Sequence, residues 1–233
     1  MNLGLLQCDE VQEKFAPVHG RYPDMFARLL KKADPSLEFV VYDVRQGELP
    51  ITIDTCDAYL ITGSRHGVND DLPWIRVLED FVLQLNNAAK KVIGICFGHQ
   101  LIAKALGGEV IKSPKSWGVG MSQNKMTQQK PWMIPQRDNF KLLVSHQDQV
   151  VTLPLNAEIL AGSDFCPFYM LQFGDNLFTI QGHPEFTKAY SQALIEDRER
   201  ILGKECYEQG LKSLQQDADD ELIAQWIINF LRG

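Results

Sequence analysis

Residues 91–100 read KVIGICFGHQ: a near-continuous apolar run over 91–95, then a cysteine between glycines, then a helical pattern over 97–106. An apolar run without alternation is the mark of a central parallel strand buried on both faces. Gly94 and Gly98 let the chain turn sharply where strand gives way to helix, lifting the Cys96 sulfur above the sheet. The helix N-terminus that follows favours the thiolate, and the Phe97 N–H can point at a developing oxyanion. A buried structural cysteine in a core strand is the competing account, and this segment alone holds only a modest edge over it.

Outward from this point the chain repeats one rhythm: a short apolar run, a turn signal, an amphipathic stretch. Residues 2–7, 38–44 and 57–62 read as strands, and 22–33 carries helical spacing in Met25, Phe26, Leu29 and Leu30. Residues 72–88 are expected to be a helix capped by Asp70 or Asp71, with Pro73 in its first turn. Strands alternating with helices imply a parallel sheet covered on both faces, with functional loops at the carboxyl ends of the strands. From 109 to 182 the pattern changes to shorter strands with little helix between them, at 109–112, 119–126, 141–144, 157–162, 168–173 and 177–181. These suggest an antiparallel extension on one sheet edge. The last 45 residues read as helical, with the acidic run at 217–221 as a helix start rather than a metal site. No repeat or linker divides the chain, so one domain over 1–233 is expected.

Bulk properties exclude several classes. Apolar residues make up 45% of the 233 residues, and the formal net charge is −7. No basic stretch is long enough to track a phosphate backbone, so nucleic acid is not an expected partner. The five cysteines at 8, 56, 96, 166 and 206 form no C-x-x-C pair and no zinc-ligand spacing, so neither a metal nor a disulfide framework is expected. No apolar run reaches membrane-spanning length and the N-terminus does not read as a signal peptide. A cytoplasmic protein without cofactor or membrane association is expected.

A thiolate nucleophile needs a proton shuttle, and the shuttle needs an acid on its other nitrogen. Gly182-His183-Pro184-Glu185-Phe186 follows an apolar strand and offers both. His183 and Glu185 are only two residues apart, and face one site only on a bent backbone that Pro184 would help to hold. In isolation this motif reads as an exposed turn; behind a cysteine elbow it reads as the rest of a triad.

With these motifs in order, the loop ITGSRHG (61–67), the elbow GICFGHQ (94–100), the segment SHQDQV (145–150) and GHPE (182–185), the sequence resembles class I glutamine amidotransferases. It resembles specifically the free-standing proteins related to the glutaminase domain of GMP synthetase. The resemblance spans essentially the whole chain and implies an α/β, flavodoxin-like three-layer sandwich with a mostly parallel sheet and a small antiparallel extension. It implies that Cys96 attacks the γ-carbonyl of glutamine or a γ-glutamyl compound, forming a thioester. Gly63, Ser64 and Phe97 would supply the oxyanion hole. His183, oriented by Glu185, would protonate the departing ammonia or amine and then activate water. Gln100, with Ser145, His146, Gln147 and Asp148 acting mostly through backbone atoms, would hold the α-amino and α-carboxylate groups. The family loop is commonly Ser-Gly-Gly-Pro; here Ser64 replaces the second glycine, and Arg65 follows.

Two versions of the activity stay open: a glutaminase handing ammonia to a separate synthase, and a γ-glutamyl peptidase acting on glutathione-like substrates. A non-catalytic member of the superfamily is a third account, disfavoured by the intact elbow, histidine and glutamate. A cysteine-containing α/β-hydrolase is disfavoured by order, since there the acid precedes the histidine by a long gap. No phosphate-cradling loop is present, so a complete ATP-dependent amidation is not expected. Trp117 is read as lining the site mouth or as core, His99 as packing, His19 and His66 as surface. Cys8, Cys56, Cys166 and Cys206 receive no role.

Overall fold

In the computed structural model, which describes residues 1–233, nine strands form one sheet in the order β2-β1-β3-β4-β11-β10-β9-β6-β7. Five of them run parallel: β2 (Glu38–Asp43), β1 (Asn2–Gln7), β3 (Ala58–Ile61), β4 (Lys91–Ile95) and β11 (Leu177–Ile180). Beyond β11 the pairing turns antiparallel through β10 (Met170–Phe173), β9 (Ala157–Gly162), β6 (Gly118–Met126) and β7 (Asn139–His146). The extension is thus nearly half of the sheet. Its strands are joined by hairpins and short loops too brief for the helical crossover a parallel pair needs.

Two strands leave the sheet. Residues 109–112 (β5) pair antiparallel with Asp148–Thr152 (β8) in a separate ribbon. Strand β8 has no counterpart among the strands expected from sequence, because SHQDQV registers there only as a motif. Its separation from β7 by a single residue, Gln147, bends the chain at the segment expected to hold substrate.

Side chains alternate across the sheet with the period of two that pleating imposes. Leu3, Leu5, Leu60, Ile93, Ile95, Phe178 and Ile180 face one core, where α2 (Tyr22–Ala33) and α8 (Asp220–Arg232) pack. Leu6, Tyr59, Ile61, Val92 and Leu177 face the other, under α3 (Pro73–Asn87) and α4 (Phe97–Ala105). Trp226 of α8 is fully buried and donates its indole N–H to the Pro135 carbonyl at 3.0 Å. A third, smaller core lies where α5 (Lys188–Asp197) and α7 (Lys204–Ser213) cover β6 and β7, with short helices α1 (Ala16–His19) and α6 (Glu199–Leu202) at its margins.

Two expected caps are absent. The residue before α3 is Leu72 in an extended conformation, and no side chain caps the helix. Pro73 at the first helical position has no N–H to satisfy and forces its predecessor out of the helical region, so a cap would gain little. Asp70 instead accepts from the Gly67 N–H at 3.1 Å, and Asp71 pairs with Arg76. At α8, which starts within the expected acidic run, the Asp219 side chain does not cap its own helix; its carboxylate accepts from the Lys141 N–H at 2.7 Å and ties the helix start to β7. No helix is long and apolar enough to cross a membrane.

Candidate active site

Strand β4 ends at Ile95, and Cys96 takes φ 50°, ψ −96°, a strained backbone for a side-chain-bearing residue. The Cys96 N–H is held by the Ile180 carbonyl at 2.9 Å, and α4 starts at Phe97. The flanking glycines explain why the turn can be so tight. A Cβ on Gly94 would stand 2.7 Å from the Gly98 carbonyl oxygen, and one on Gly98 would stand 2.6 Å from the Ile61 oxygen. Helix α4 therefore rests directly on β3 and β4.

The second half of the site comes from the end of β11. Gly182 sits against Tyr169, and the His183 N–H donates to the Leu143 carbonyl of β7 at 2.8 Å. That bond anchors the bend across Pro184 and leaves the imidazole Nδ1 2.7 Å from Glu185 Oε1. Both side chains are buried. Phe186 stacks on the imidazole with centroids 4.0 Å apart and planes 11° apart, so the ring has one orientation. Burial alone would lower the His183 pKa. The charges of Glu185 and Cys96, and hydrogen bonds with both, overcome it and raise the value to about 10. Glu185 Oε2 is buried without a hydrogen-bond partner, so the charge of the carboxylate is directed at the histidine.

The third piece is the loop after β3. An added Cβ on Gly63 would meet His183 Cε1 at 2.7 Å and Cys96 Cβ at 3.7 Å, which places this backbone against both residues. The amide N–H groups of Gly63 and Ser64 make no hydrogen bond within the protein. Ser64, the departure from the family pattern, turns its hydroxyl away: it donates to the Cys8 carbonyl at 3.0 Å and accepts from the His66 N–H at 3.1 Å. Arg65 is drawn back in the same way, its guanidinium bonded to Asp9 at 2.9 Å and to the Glu10 carbonyl at 2.7 Å. The altered residues brace the loop and leave the amide edge clear.

A cleft of about 440 Å³ runs from Cys96 and His183 to solvent, lined also by Gln100, Ser145, His146, Gln147 and Asp148. Gln100 uses its side-chain NH₂ on the Asp148 carbonyl at 2.8 Å and on Gln181 Oε1 at 3.0 Å, so its contribution is to hold the 145–148 bend. Ser145 accepts a 2.7 Å bond from Arg198. His146 is buried, and burial drops its pKa to about 4, which leaves it neutral at physiological pH. Burial of the Asp148 carboxyl raises its pKa, with Lys112 opposing.

Among the residues weighed from sequence, Trp117 lines the cleft. His99 is fully buried against Thr179 at 2.8 Å. His66 lines the cleft rather than plain surface, and His19 ends α1 with its ring 5.2 Å from that of Tyr190. Sequence reasoning missed Gln181, whose amide points at the Cys96 sulfur at 3.4 Å, and Asp9, which secures Arg65. Asp9 follows the carboxyl end of β1, where functional residues of parallel sheets collect, so the topology could have found it. Nothing in the local pattern marked Gln181 or the stacking role of Phe186.

This fold and site define the class. Residues 22–199 match the family model of class-I glutamine amidotransferases, and the chain belongs to that family. Among curated proteins it is similar to gamma-glutamyl peptidase 4 of Arabidopsis thaliana, 34% identical over 193 residues that cover 79% of this chain and 74% of the relative. Gamma-glutamyl peptidase 3 of the same plant is 30% identical over an alignment of 245 positions, covering 99% of this chain and 96% of the other. A glutamine-hydrolyzing GMP synthase component from Methanosphaera stadtmanae is 40% identical over 95 residues, 40% of this chain and 50% of that one. The fold is shared with the crystal structure of a glutamine amidotransferase from Thermotoga maritima, at TM-score 0.73 and 17% identity over 99% of this chain and 96% of that one.

Proposed function

We propose that the protein hydrolyses γ-glutamyl amide bonds through Cys96, His183 and Glu185. The observation that carries this reading is the 2.7 Å bond between His183 and Glu185 beside a cysteine on a strained elbow. Nδ1 is committed to the carboxylate, so Nε2 is the nitrogen left to exchange protons with the sulfur and the substrate. The raised His183 pKa keeps the imidazole protonated, as the acid of the first half-reaction requires.

The steps follow from the groups present. The Cys96 sulfur attacks the γ-carbonyl carbon, and the C=O electron pair moves onto oxygen. The amides of Phe97 and of Gly63 or Ser64 stabilise that oxyanion; one such donor is worth about 10²–10³ in rate. His183 gives its proton to the amine nitrogen, the C–N bond breaks, and a γ-glutamyl thioester remains. His183, now neutral, takes a proton from water. The hydroxide equivalent attacks the thioester, and glutamate leaves as the sulfur departs. Phe97, Gly63 and Ser64 act again in this second half.

Of the two versions, the γ-glutamyl peptidase is the better supported. A relative matched over 96% of its own length and 99% of this chain carries that name, whereas the likeness to the GMP synthase component covers 40% of this chain. A panel of glutamine, glutathione and γ-glutamyl dipeptides, read as ammonia or amine release, tests the proposal. Glutamate release from γ-glutamyl peptides exceeding that from glutamine is the expected result. Exclusive turnover of glutamine would reverse the choice between versions, and no release from any of them would remove the hydrolase itself.

A further inference from the structure

We propose that Gln181 is a positioning residue for the nucleophile: its side-chain amide donates to the Cys96 sulfur and favours the charged, reactive thiolate, with the direction of the amide set by Gln100. This rests on Cys96 being the nucleophile, as in the reading above. Strands β11 and β4 run parallel in register, with Ile180 opposite Ile95. One step beyond that last pair stand Gln181 and Cys96. Gln181 Nε2 hydrogen-bonds the sulfur at 3.4 Å. Gln181 is fully buried and takes no part in lining the cleft, so it meets the sulfur from the protein interior.

The polarity of this bond is fixed from outside the pair. A backbone carbonyl can only accept. The Gln100 side chain meets the Asp148 carbonyl at 2.8 Å, so the end it presents there is its NH₂. The same nitrogen stands 3.0 Å from the Gln181 amide, which must answer with its oxygen. What Gln181 has left for the sulfur is its own NH₂. The 145–148 bend, expected to hold substrate, thus sets a donor on the nucleophile through two buried glutamines.

The sulfur is the only hydrogen-bond acceptor of that NH₂. A neutral thiol accepts weakly, whereas hydrogen bonds to an ionised group are roughly twice as strong as neutral ones. The donor therefore discriminates in favour of the thiolate. It acts again when the thioester breaks, because the C–S electron pair returns to the sulfur that the amide faces. A buried amide is costly unless its bonds are made, and here both ends are used.

The test follows the pH profile of Cys96 alkylation by iodoacetamide on the full chain, with the labelled cysteine identified by peptide mapping. This reagent is too small to need a γ-glutamyl pocket, so substrate binding does not enter. In Gln181→Met the rising limb should move to higher pH by about one unit or more, the tenfold effect of losing a hydrogen bond to a charged group. Gln181→Glu keeps the shape and the acceptor for Gln100 but turns a negative oxygen to the sulfur, and should move the limb further. Gln100→Met leaves the sulfur untouched, yet frees the Gln181 amide to turn. It should move the limb in the same direction and add nothing to Gln181→Met. Shifts count in variants that melt like the parent; Gln181→Glu, equal in shape, serves where Gln181→Met does not fold. A limb that stays in place in either folded variant overturns the donor, since a merely structural glutamine would lower stability or turnover and leave the limb unmoved. Shifts from Gln100→Met and Gln181→Met that add in full overturn the orienting role of Gln100. A moved limb without turnover of any γ-glutamyl compound upholds the donor and instead overturns the hydrolase.

Discussion

Gly63→Ala adds a single methyl group to the loop after β3, and the structure says where it lands. Its Cβ would stand 2.7 Å from His183 Cε1, about 0.7 Å inside the 3.4 Å at which ordinary contact begins. The imidazole has nowhere to retreat. Phe186 is stacked on it at 4.0 Å, Glu185 holds Nδ1 at 2.7 Å, and the His183 N–H is fixed to Leu143. The loop resists as well, since Thr62 accepts from the Cys8 N–H and Ser64 bonds the Cys8 carbonyl. Gly63 does not occupy the left-handed region, so the cost is contact and not backbone strain. Either the ring tips or the Gly63–Ser64 amides lift. Misplacing reacting groups by about 1 Å costs roughly 10²-fold, as does loss of one oxyanion donor. We expect kcat/KM for a γ-glutamyl anilide to fall by roughly 10²-fold, or about 3 kcal/mol at ~1.4 kcal/mol per tenfold. Folding stability should fall by only about 1–3 kcal/mol, the usual range for one inserted methyl. Stopped or continuous anilide assays alongside a thermal melt separate the two. Near-normal kcat/KM in a folded Gly63→Ala protein would refute the placement of this loop against His183 and its role at the oxyanion.

Four further outcomes are expected. A glutamine-like diazoketone should label Cys96 alone, since burial pushes the Cys166 thiol up to about 12 and raises Cys8 and Cys206 as well, while Cys56 is buried away from the cleft; peptide mapping that finds label spread over all five would remove the activated nucleophile. His183 is held above its ordinary 6.5, at about 10, so the stability this gives is complete below 6.5 and is lost as pH rises through about 10. Acid catalysis should fail over the same upper limb; Glu185→Gln should move that limb to lower pH, and an unmoved pH–rate profile would deny Glu185 its part. Trp226→Ala should cost about 3–5 kcal/mol in urea unfolding, a loss under about 1 kcal/mol being incompatible with its burial. The purified chain should neither hydrolyse ATP nor amidate an acceptor with free ammonia, because no phosphate-cradling loop is present; ammonia-dependent amidation would expose a synthase site.

Much of the fold was legible because its signals are local. The apolar runs at 2–7 and 91–95 match the observed strands to the residue, and the 22–33 periodicity matches α2. Ends were less legible: the expected strand 168–173 begins at Met170, and the expected Asp cap of α3 is displaced by the demands of Pro73. Strand β8 was hidden because Gln147 is its only separation from β7, and two strands abutting at a bend read as one polar segment.

What sequence by itself determined is the chemistry available and the backbone geometry at each motif. Gly94 and Gly98 permit the elbow at Cys96, and Pro184 permits His183 and Glu185 to meet across a bend, because those constraints act within a few residues. What only tertiary structure decided is which of these pieces meet. The pairing of β11 beside β4 brings the end of one strand to the other, so that His183 and Gln181 reach the Cys96 sulfur across more than eighty residues of chain. The Ser64 hydroxyl could have blocked or braced the loop after β3, and the choice was made by the Cys8 carbonyl opposite it. Trp117, readable from sequence as core or as site lining, lines the cleft because it leads into β6, whose Gly118 pairs with His146 of β7. Such outcomes depend on long-range pairing and close packing, which no window along the chain contains.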